Sequence, residues 1–435
     1  MKSFTRRLAP AAAGAMALGL ALTGCSGSSG NANQTTITWL VDNGESTVSA
    51  AEQIVEDFQA ANPGIKVDLE TRPQGGDGDN LIKTRLSTGD MADVFSYNTG
   101  SLFQQISPQQ NLTPITNEPY IAKVSETFKP TVTAGSDIYG VPVGTGFAGA
   151  VLYNKKVYEK LGLSVPKTWD QFMENSRKIK DSGVAPILQS YQATWSSQLF
   201  VLGDFANVAK ASPNFAADYT ANKTKYSTDP AAFKGFQHQE EAAKAGLFNE
   251  DFASTTYEEA LQKLVDGEGA QYPILSSSLT AIQLTFPEKI NDIGLFPLPG
   301  DDASKNALTV WLPGGAYTPK TSKHPEEAKK LLAFIASKAG CDAVTKAVGV
   351  SGPYLVDDCE LPAEVPAAVK DMLPYFEDPA KNSPALEFLS PVKGPSLEQI
   401  TVEVGSGIRS AKDGAALYDE DVTKQAKQLN LPGWN

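Results

Sequence analysis

The stretch Thr36-Ile37-Thr38-Trp39-Leu40-Val41 decides the fold of this chain. Apolar side chains fall at 37, 39 and 41, the alternation of a strand with one buried face. Asp42, Asn43, Gly44 and Glu45 follow at once, so the strand ends in a polar loop. Ser49 and Glu52 then have the spacing of a capping box, ahead of Ala51, Ile54, Val55 and Phe58 on one helical face. Asn62-Pro63-Gly64 stops that helix, and Ile65-Lys66-Val67-Asp68-Leu69 alternates as a second strand. Asn80 to Thr88 is predicted as a short helix ended by Gly89, and Asp93-Val94-Phe95 opens a third strand. Strand, helix, strand, helix, strand predicts an α/β fold, with ligand loops at the C-terminal ends of the strands.

The same pattern continues outward. Ala150 to Tyr153 reads as a strand, Thr168 with Gln171 caps a helix through Ile179, and Ala185-Pro186-Ile187-Leu188 is a strand leading to Tyr191 and Trp195. Thr256 with Glu259 caps a helix through Val265, and Pro325 opens one over 326–337. About 400 residues follow position 34 without an internal repeat or a second long apolar run, a length that suggests two domains.

The N-terminus carries a different signal. Lys2, Arg6 and Arg7 precede an apolar run from Leu8 to Leu22, and no acid occurs before Asp42. The run is interrupted by Pro10 and falls short of the ~20 apolar residues that span a bilayer. A basic start, a short apolar segment and small residues at its end predict a signal peptide over 1–24. Leu22-Thr23-Gly24-Cys25 resembles the lipobox of bacterial lipoproteins, which implies a diacylglyceryl group on Cys25. Ser26-Gly27-Ser28-Ser29-Gly30 reads as a flexible tether, placing a lipidated tether over 25–35 and the protein outside the cytoplasm, anchored to the cell membrane. With Cys25 set aside, Cys341 and Cys359 form an even pair in an oxidising compartment and are expected to be bonded.

Charge narrows the partners. The formal charge is −13, and removal of the three cations Lys2, Arg6 and Arg7 takes it to −16. Such a surface argues against nucleic acid, whose phosphates call for Lys and Arg, and against adhesion to anionic lipid through the protein itself.

Six motifs occur in one order: Pro63-Gly64-Ile65-Lys66-Val67, Gly89-Asp90-Met91-Ala92-Asp93-Val94, Tyr153-Asn154-Lys155, Thr168-Trp169-Asp170-Gln171-Phe172, Phe296-Pro297-Leu298-Pro299-Gly300 and Pro325-Glu326-Glu327-Ala328. Together they resemble the extracellular solute-binding family of ABC sugar importers, the maltose-binding-protein-like proteins in their lipoprotein form. Met91-Ala92-Asp93 departs from it in lacking a Pro before the Asp, and the region from Tyr272 to Ser278 lacks a Gly-Ser-Trp. The resemblance implies a two-lobed periplasmic-binding-protein-like α/β fold with hinge crossovers near 143–147, 309–313 and 337–341. Lobe one would be 36–142 plus 311–338, and lobe two 146–308 plus 342–435. It also implies a monomer that closes on a sugar and docks on permease subunits, with no cofactor, no metal and no catalysis.

Sugars present apolar C–H faces and polar rims, so their sites pair aromatic platforms with amide and carboxylate groups. Trp195, among Gln192, Thr194 and Ser196, and Trp311, before Leu312-Pro313-Gly314-Gly315, are expected to face the cleft, one from each lobe. Tyr97 is the third aromatic, with Asn98 beside it and Tyr191 near Trp195. Asp42, Asn43 and Glu45 would supply the polar rim, Phe147 a contact at the first crossover, and Gly314 and Gly315 a close backbone approach. Trp39 and Trp169 read as structural.

Other motifs are excluded by context. Gly144-Thr145-Gly146-Phe147-Ala148-Gly149 matches a dinucleotide fingerprint, but a strand follows where a helix is required. Asp77-Gly78-Asp79-Asn80 resembles a calcium loop, yet Thr88 stands where the bidentate Glu belongs, leaving a surface turn. His238 and His324 read as surface residues. A non-sugar solute on the same fold, a secreted carbohydrate-active enzyme with two facing carboxylates, and a lipoprotein with only a surface interaction role remain open at this stage.

Overall fold

The computed structural model describes residues 34–434. The predicted signal peptide and Cys25 therefore lie outside the described residues. The strands, in chain order, are β1 (Thr35–Asp42), β2 (Ile65–Arg72), β3 (Val94–Tyr97), the small hairpin β4 (Thr133–Ala134) and β5 (Asp137–Ile138), β6 (Gly140–Pro142), β7 (Phe147–Asn154), β8 (Ala185–Ile187), β9 (Gly269–Leu275), β10 (Ile293–Pro297), β11 (Leu308–Trp311), β12 (Gly315–Tyr317) and β13 (Asn382–Pro384). They form two main sheets. The first has the order β2-β1-β3-β12-β6, with β2, β1 and β3 parallel. The second has the order β13-β11-β7-β9-β8, and β10 also pairs with β7. Each sheet has its own apolar core, which makes this a two-lobed α/β protein.

The elements read from the sequence are present, and several start earlier than expected. The first helix runs over Glu45–Ala61 and buries Ala51, Ile54, Val55 and Phe58. It does not wait for the Ser49–Glu52 box. Asp42 Oδ1 accepts from the Gly44 N–H at 3.0 Å, and this turn feeds the strand straight into the helix. The next helix spans Gly75–Thr88, so Asp77, Gly78, Asp79 and Asn80 are helical rather than a surface turn. Glycine is required at 78, where a Cβ would sit 2.0 Å from the Pro73 carbonyl and 2.3 Å from Arg72 Nη1. Gly89 closes this helix with φ of 75°, as predicted. Thr256 and Glu259 form the full reciprocal capping box ahead of Tyr257–Asp266.

The chain crosses between lobes between β6 and β7 and again between β11 and β12. The third crossing differs from expectation. Ser337 does not end the first-lobe segment; it caps a fresh helix, Lys338–Val348, by accepting from the Gly340 N–H. That helix packs on Glu45–Ala61 and buries Ala343, Val344 and Val348 in the first core. Leu355, Val356 and Asp357 also stay with the first lobe, bonded to Ser125, Val124 and Lys123. The crossing therefore falls after Cys359, before helix Ala367–Glu377 packs on β10. Cys341 and Cys359 are disulfide-bonded, as expected.

His238 is a further correction. It is 1% exposed and stacks on Trp169 at 3.9 Å between centroids, with Asp301 at 3.6 Å. Its helix, Pro230–Lys244, turns that residue inward together with Phe236 and Gln239, a face the polar sequence around it conceals. His324 is half-buried ahead of helix Pro325–Ile335. Trp39 and Trp169 are both buried, their indole N–H groups donating to Ser96 at 3.1 Å and Glu241 at 2.8 Å. Among the described residues no helix is long and apolar enough to cross a membrane.

Candidate functional site

Parallel strands deliver side chains to their carboxyl ends, and here β1, β2 and β3 end on polar or amphipathic residues. Asp42 pairs in register with Arg72, and the register Leu40↔Phe95, continued by two residues, brings Asp42 beside Tyr97. The row Arg72–Asp42–Tyr97 thus lies along the edge of the first sheet. Arg72 is 7% exposed and reaches along this row until its guanidinium lies 6.0 Å from the Tyr97 ring centroid. Its Nη1 donates to the Pro73 carbonyl at 3.0 Å and Nη2 to the Ser96 carbonyl at 3.5 Å. Arg72 Nε and Tyr97 Oη are buried without a hydrogen-bond partner among the described residues. Burial, with Asp79 adding to it, pushes the Tyr97 phenol well above its ordinary pKa, so it stays a donor at neutral pH. Burial also raises the Asp79 carboxyl, against the pull of Arg72, Lys393 and Lys83.

The second lobe meets this edge at two places. Trp195 lies on a single 3₁₀ turn, Thr194–Gln198, after β8, and is half-buried with its ring 5.5 Å from Tyr257. It touches the first lobe: a Cβ at Gly75 would lie 3.9 Å from Trp195 Cβ and Cδ1. Glu398, on helix Leu397–Gly405, reaches the same helix start, and a Cβ at Gly76 would be 2.9 Å from its Oε1. Farther along, Glu387 and Lys393 pair at 3.5 Å, Gln105 of the first lobe donates to the Lys393 carbonyl at 3.4 Å, and Asp79 feels the Lys393 charge. Asp42 similarly acts on the Tyr257 phenol, whose pKa burial raises.

The residues expected at the site divide. Asp42, Tyr97 and Trp195 lie where the lobes meet. Asn43 and Glu45 are exposed beside Asp42, with Glu45 as the first helical residue. Asn98 and Gln192 are exposed, and Phe147 is half-buried at the start of β7. Tyr191 points away: it is 4% exposed, takes a hydrogen bond from Gln239 at 3.0 Å and packs on Phe248 and Phe252 in a second-lobe core. Trp311 ends β11 in register with Phe147, so it belongs to the second lobe, and Trp195 and Trp311 do not come one from each lobe. Its ring lies over Gly149, and its N–H donates to Glu387, which covers it. The cavity beside it holds about 10 Å³, room for one water. Gly314 and Gly315 do serve a close approach, but to protein: Cβ atoms there would meet the Tyr97 carbonyl at 3.1 Å and the Tyr317 hydroxyl at 2.4 Å.

Arg72, Tyr257, Glu387, Lys393 and Glu398 are not expected here from the sequence, and Asp79 is expected only in a surface turn. Arg72 had a usable signal, since β2 runs three residues past Leu69 and strand ends carry ligand loops. Tyr257 sits inside the Thr256–Glu259 capping box, which marks a helix start and not a ligand site, while Glu387, Lys393 and Glu398 come from segments with no motif, brought to this edge only by the chain's return.

This architecture, two α/β lobes joined by three crossings with polar strand ends and an aromatic between them, is that of a solute-binding protein. The chain belongs to the bacterial extracellular solute-binding protein family, whose profile matches residues 43–340. Among curated relatives, the multiple sugar-binding protein of Streptococcus mutans is 26% identical over 294 residues, 65% of this chain and 67% of that one. The melibiose/raffinose/stachyose-binding protein MelE of Bacillus subtilis is 22% identical over 353 residues, 76% and 78% of the two chains. Among solved structures, RafE in complex with raffinose aligns with a TM-score of 0.74 at 20% identity, covering 91% of this chain and 100% of that one. A chitin oligosaccharide binding protein aligns with a TM-score of 0.78 at 20% identity, with the same coverage. These structures share the fold. The family places the protein outside the cytoplasm, among binding proteins.

Proposed function

We propose that this protein captures a sugar or oligosaccharide between its lobes and delivers it to the permease of an ABC importer, acting as a monomer and breaking no bond. The observation that carries the reading is the polar edge Arg72–Asp42–Tyr97 facing Trp195 and Glu398, a set of hydroxyl partners beside an aromatic platform. Relatives named for sugar binding support it. Ligand contacts made better in the closed arrangement would shift the lobes toward closure. The test is a thermal-shift series with raffinose, stachyose, galactose and a chitin oligosaccharide. A sugar that binds only the folded state raises the melting temperature with concentration, about 2.7 kcal/mol at a hundredfold excess over Kd. A flat response to all four rejects the sugar reading, and shortened products after incubation would replace binding with hydrolysis.

Lipid attachment at Cys25 is part of the same proposal, supported by Leu22-Thr23-Gly24-Cys25 and the Gly/Ser tether behind it. Cys25→Ala is expected to release the protein from the membrane fraction and block maturation. Membrane-bound, normally processed Cys25→Ala protein would reject the anchor.

A further inference from the structure

We propose that residues 393–398 of the second lobe form an electrostatic latch on helix Gly75–Thr88 of the first, holding the lobes together before any solute is bound. The inference goes beyond the sugar-binding reading and does not depend on which solute the protein takes. Three contacts follow one another along the helix. At its start, a Cβ at Gly76 would lie 2.9 Å from Glu398 Oε1. One turn on, Asp79 feels the charge of Lys393. Near the middle, Lys83 donates to Gln105 Oε1 at 2.9 Å, and the Gln105 amide donates to the Lys393 carbonyl at 3.4 Å.

The helix start lacks a side-chain cap from its own sequence. Gln74 stands at the cap position without a bond to the helix, and its amide donates instead to Asp42 Oδ1 at 3.3 Å. The positive end of the helix dipole therefore faces the second lobe with no acceptor from Gln74. Glu398 is 8% exposed and has no ion pair among the described residues; the Gln399 amide donates to its carboxylate at 3.2 Å. A buried carboxylate without a cation is costly, and a helix start offsets that cost. The surrounding charges favour the contact on balance. Glu398 pushes on Asp79, but Lys393 pulls on it more strongly, and Arg72 and Lys83 add to that pull. Asp42 is engaged in its own loop, accepting from the Gly44 N–H at 3.0 Å as well as from Gln74. Asp77, in the first turn, is exposed, where solvent and salt screen its repulsion of Glu398.

Small-angle scattering of the solute-free protein reads the latch without involving any ligand contact of Glu398. At about 0.01 M salt the wild type should match the curve calculated from this structure. At about 1 M salt, where the Debye length falls from about 30 Å to about 3 Å, its radius of gyration should rise. The acidic surface alone predicts the opposite, since repulsion between two acidic lobes weakens with salt. Glu398→Gln keeps the size and removes the charge, and should lower the closed-to-open ratio roughly two- to fivefold. Glu398→Lys, which sets a cation against the helix start, should open the protein further. Gly76→Ala acts from the other lobe: its Cβ displaces the Glu398 carboxylate, so it should open the protein while the better helix former holds or raises the melting temperature. Melts run beside the scattering identify a variant that unfolds, and the salt series on the wild type then decides. A wild type that is open at low salt overturns the latch. So does a radius that salt and all three variants leave unchanged, or one that falls with salt. None of these results touches the sugar reading, which the thermal-shift series tests by itself.

Discussion

Trp195→Ala is expected to weaken sugar binding more than tenfold. The side chain stands on a single 3₁₀ turn, and its flank touches Gly75 of the opposite lobe. A well-buried aromatic anchor commonly carries about 2 kcal/mol or more of binding free energy, by analogy with interface hot spots. That exceeds a factor of ten in Kd. The residue also leans on Tyr257 and the edge of the second core, so some melting loss will accompany the change. It should fall short of the 3–5 kcal/mol typical of a fully buried tryptophan, because Trp195 is only half-buried. Trp195→Phe keeps a platform and should keep most of the affinity. Calorimetry with a neutral oligosaccharide, read beside thermal melts, separates the two roles. A large melting loss with intact affinity would make Trp195 a core residue and move the site elsewhere.

Glu398 reaches the first lobe at the same point. Its carboxylate lies against the start of helix Gly75–Thr88, where N–H groups without intrahelical partners and the positive end of the helix dipole collect. The glycines at 75 and 76 admit it, since a Cβ at 76 would crowd Oε1. Trp195 and this electrostatic contact therefore meet the same helix end.

Local patterns carried the fold, and long-range returns hid the site. The alternation at 37, 39 and 41 and the helical face at 51, 54, 55 and 58 are properties of short segments, and both stand in the structure. Helix starts shifted because the backbone had better options than the side-chain caps, as where Asp42 turns the chain straight into Glu45. The third crossing moved because Ser337 reads equally as a helix end and as a cap, and only packing on Glu45–Ala61 decides. Trp311 illustrates the limit most clearly. Its neighbours Leu312-Pro313-Gly314-Gly315 suggest an open loop, but its lobe is fixed by pairing with Phe147, far away in sequence. Glu387, Lys393 and Glu398 lie beyond the matched family region and come to the cleft only through the C-terminal helices. His238 was concealed by the same cause, a polar sequence whose inward face is set by Trp169.

Removing the Cys341–Cys359 disulfide is expected to lower stability by about 3 kcal/mol, the chain-entropy value for a loop of this length. The cysteines are 18 residues apart, and the segment they close is part of the hinge. Ser351 pairs with Thr145 at 2.9 Å, and the Pro353 carbonyl takes the Gly146 N–H at 2.7 Å, so the segment lies along the first crossing. Leu355 and Asp357 bond Ser125 and Lys123 at 2.9 Å each and tie the segment to the first lobe. The disulfide holds its far end to helix Lys338–Val348, which confines the third crossing to the stretch after Cys359. Without it, this end is held only by the bonds at Leu355, Val356 and Asp357, and the closed arrangement must order a less constrained segment. Cys341→Ser/Cys359→Ser should therefore unfold at lower denaturant and also bind its sugar somewhat more weakly, whereas surface variants do neither. Peptide mapping without reductant should show the single linked pair. Two freely alkylatable thiols, or a double-serine variant that unfolds together with the wild type, would remove the disulfide from both the stability and the hinge.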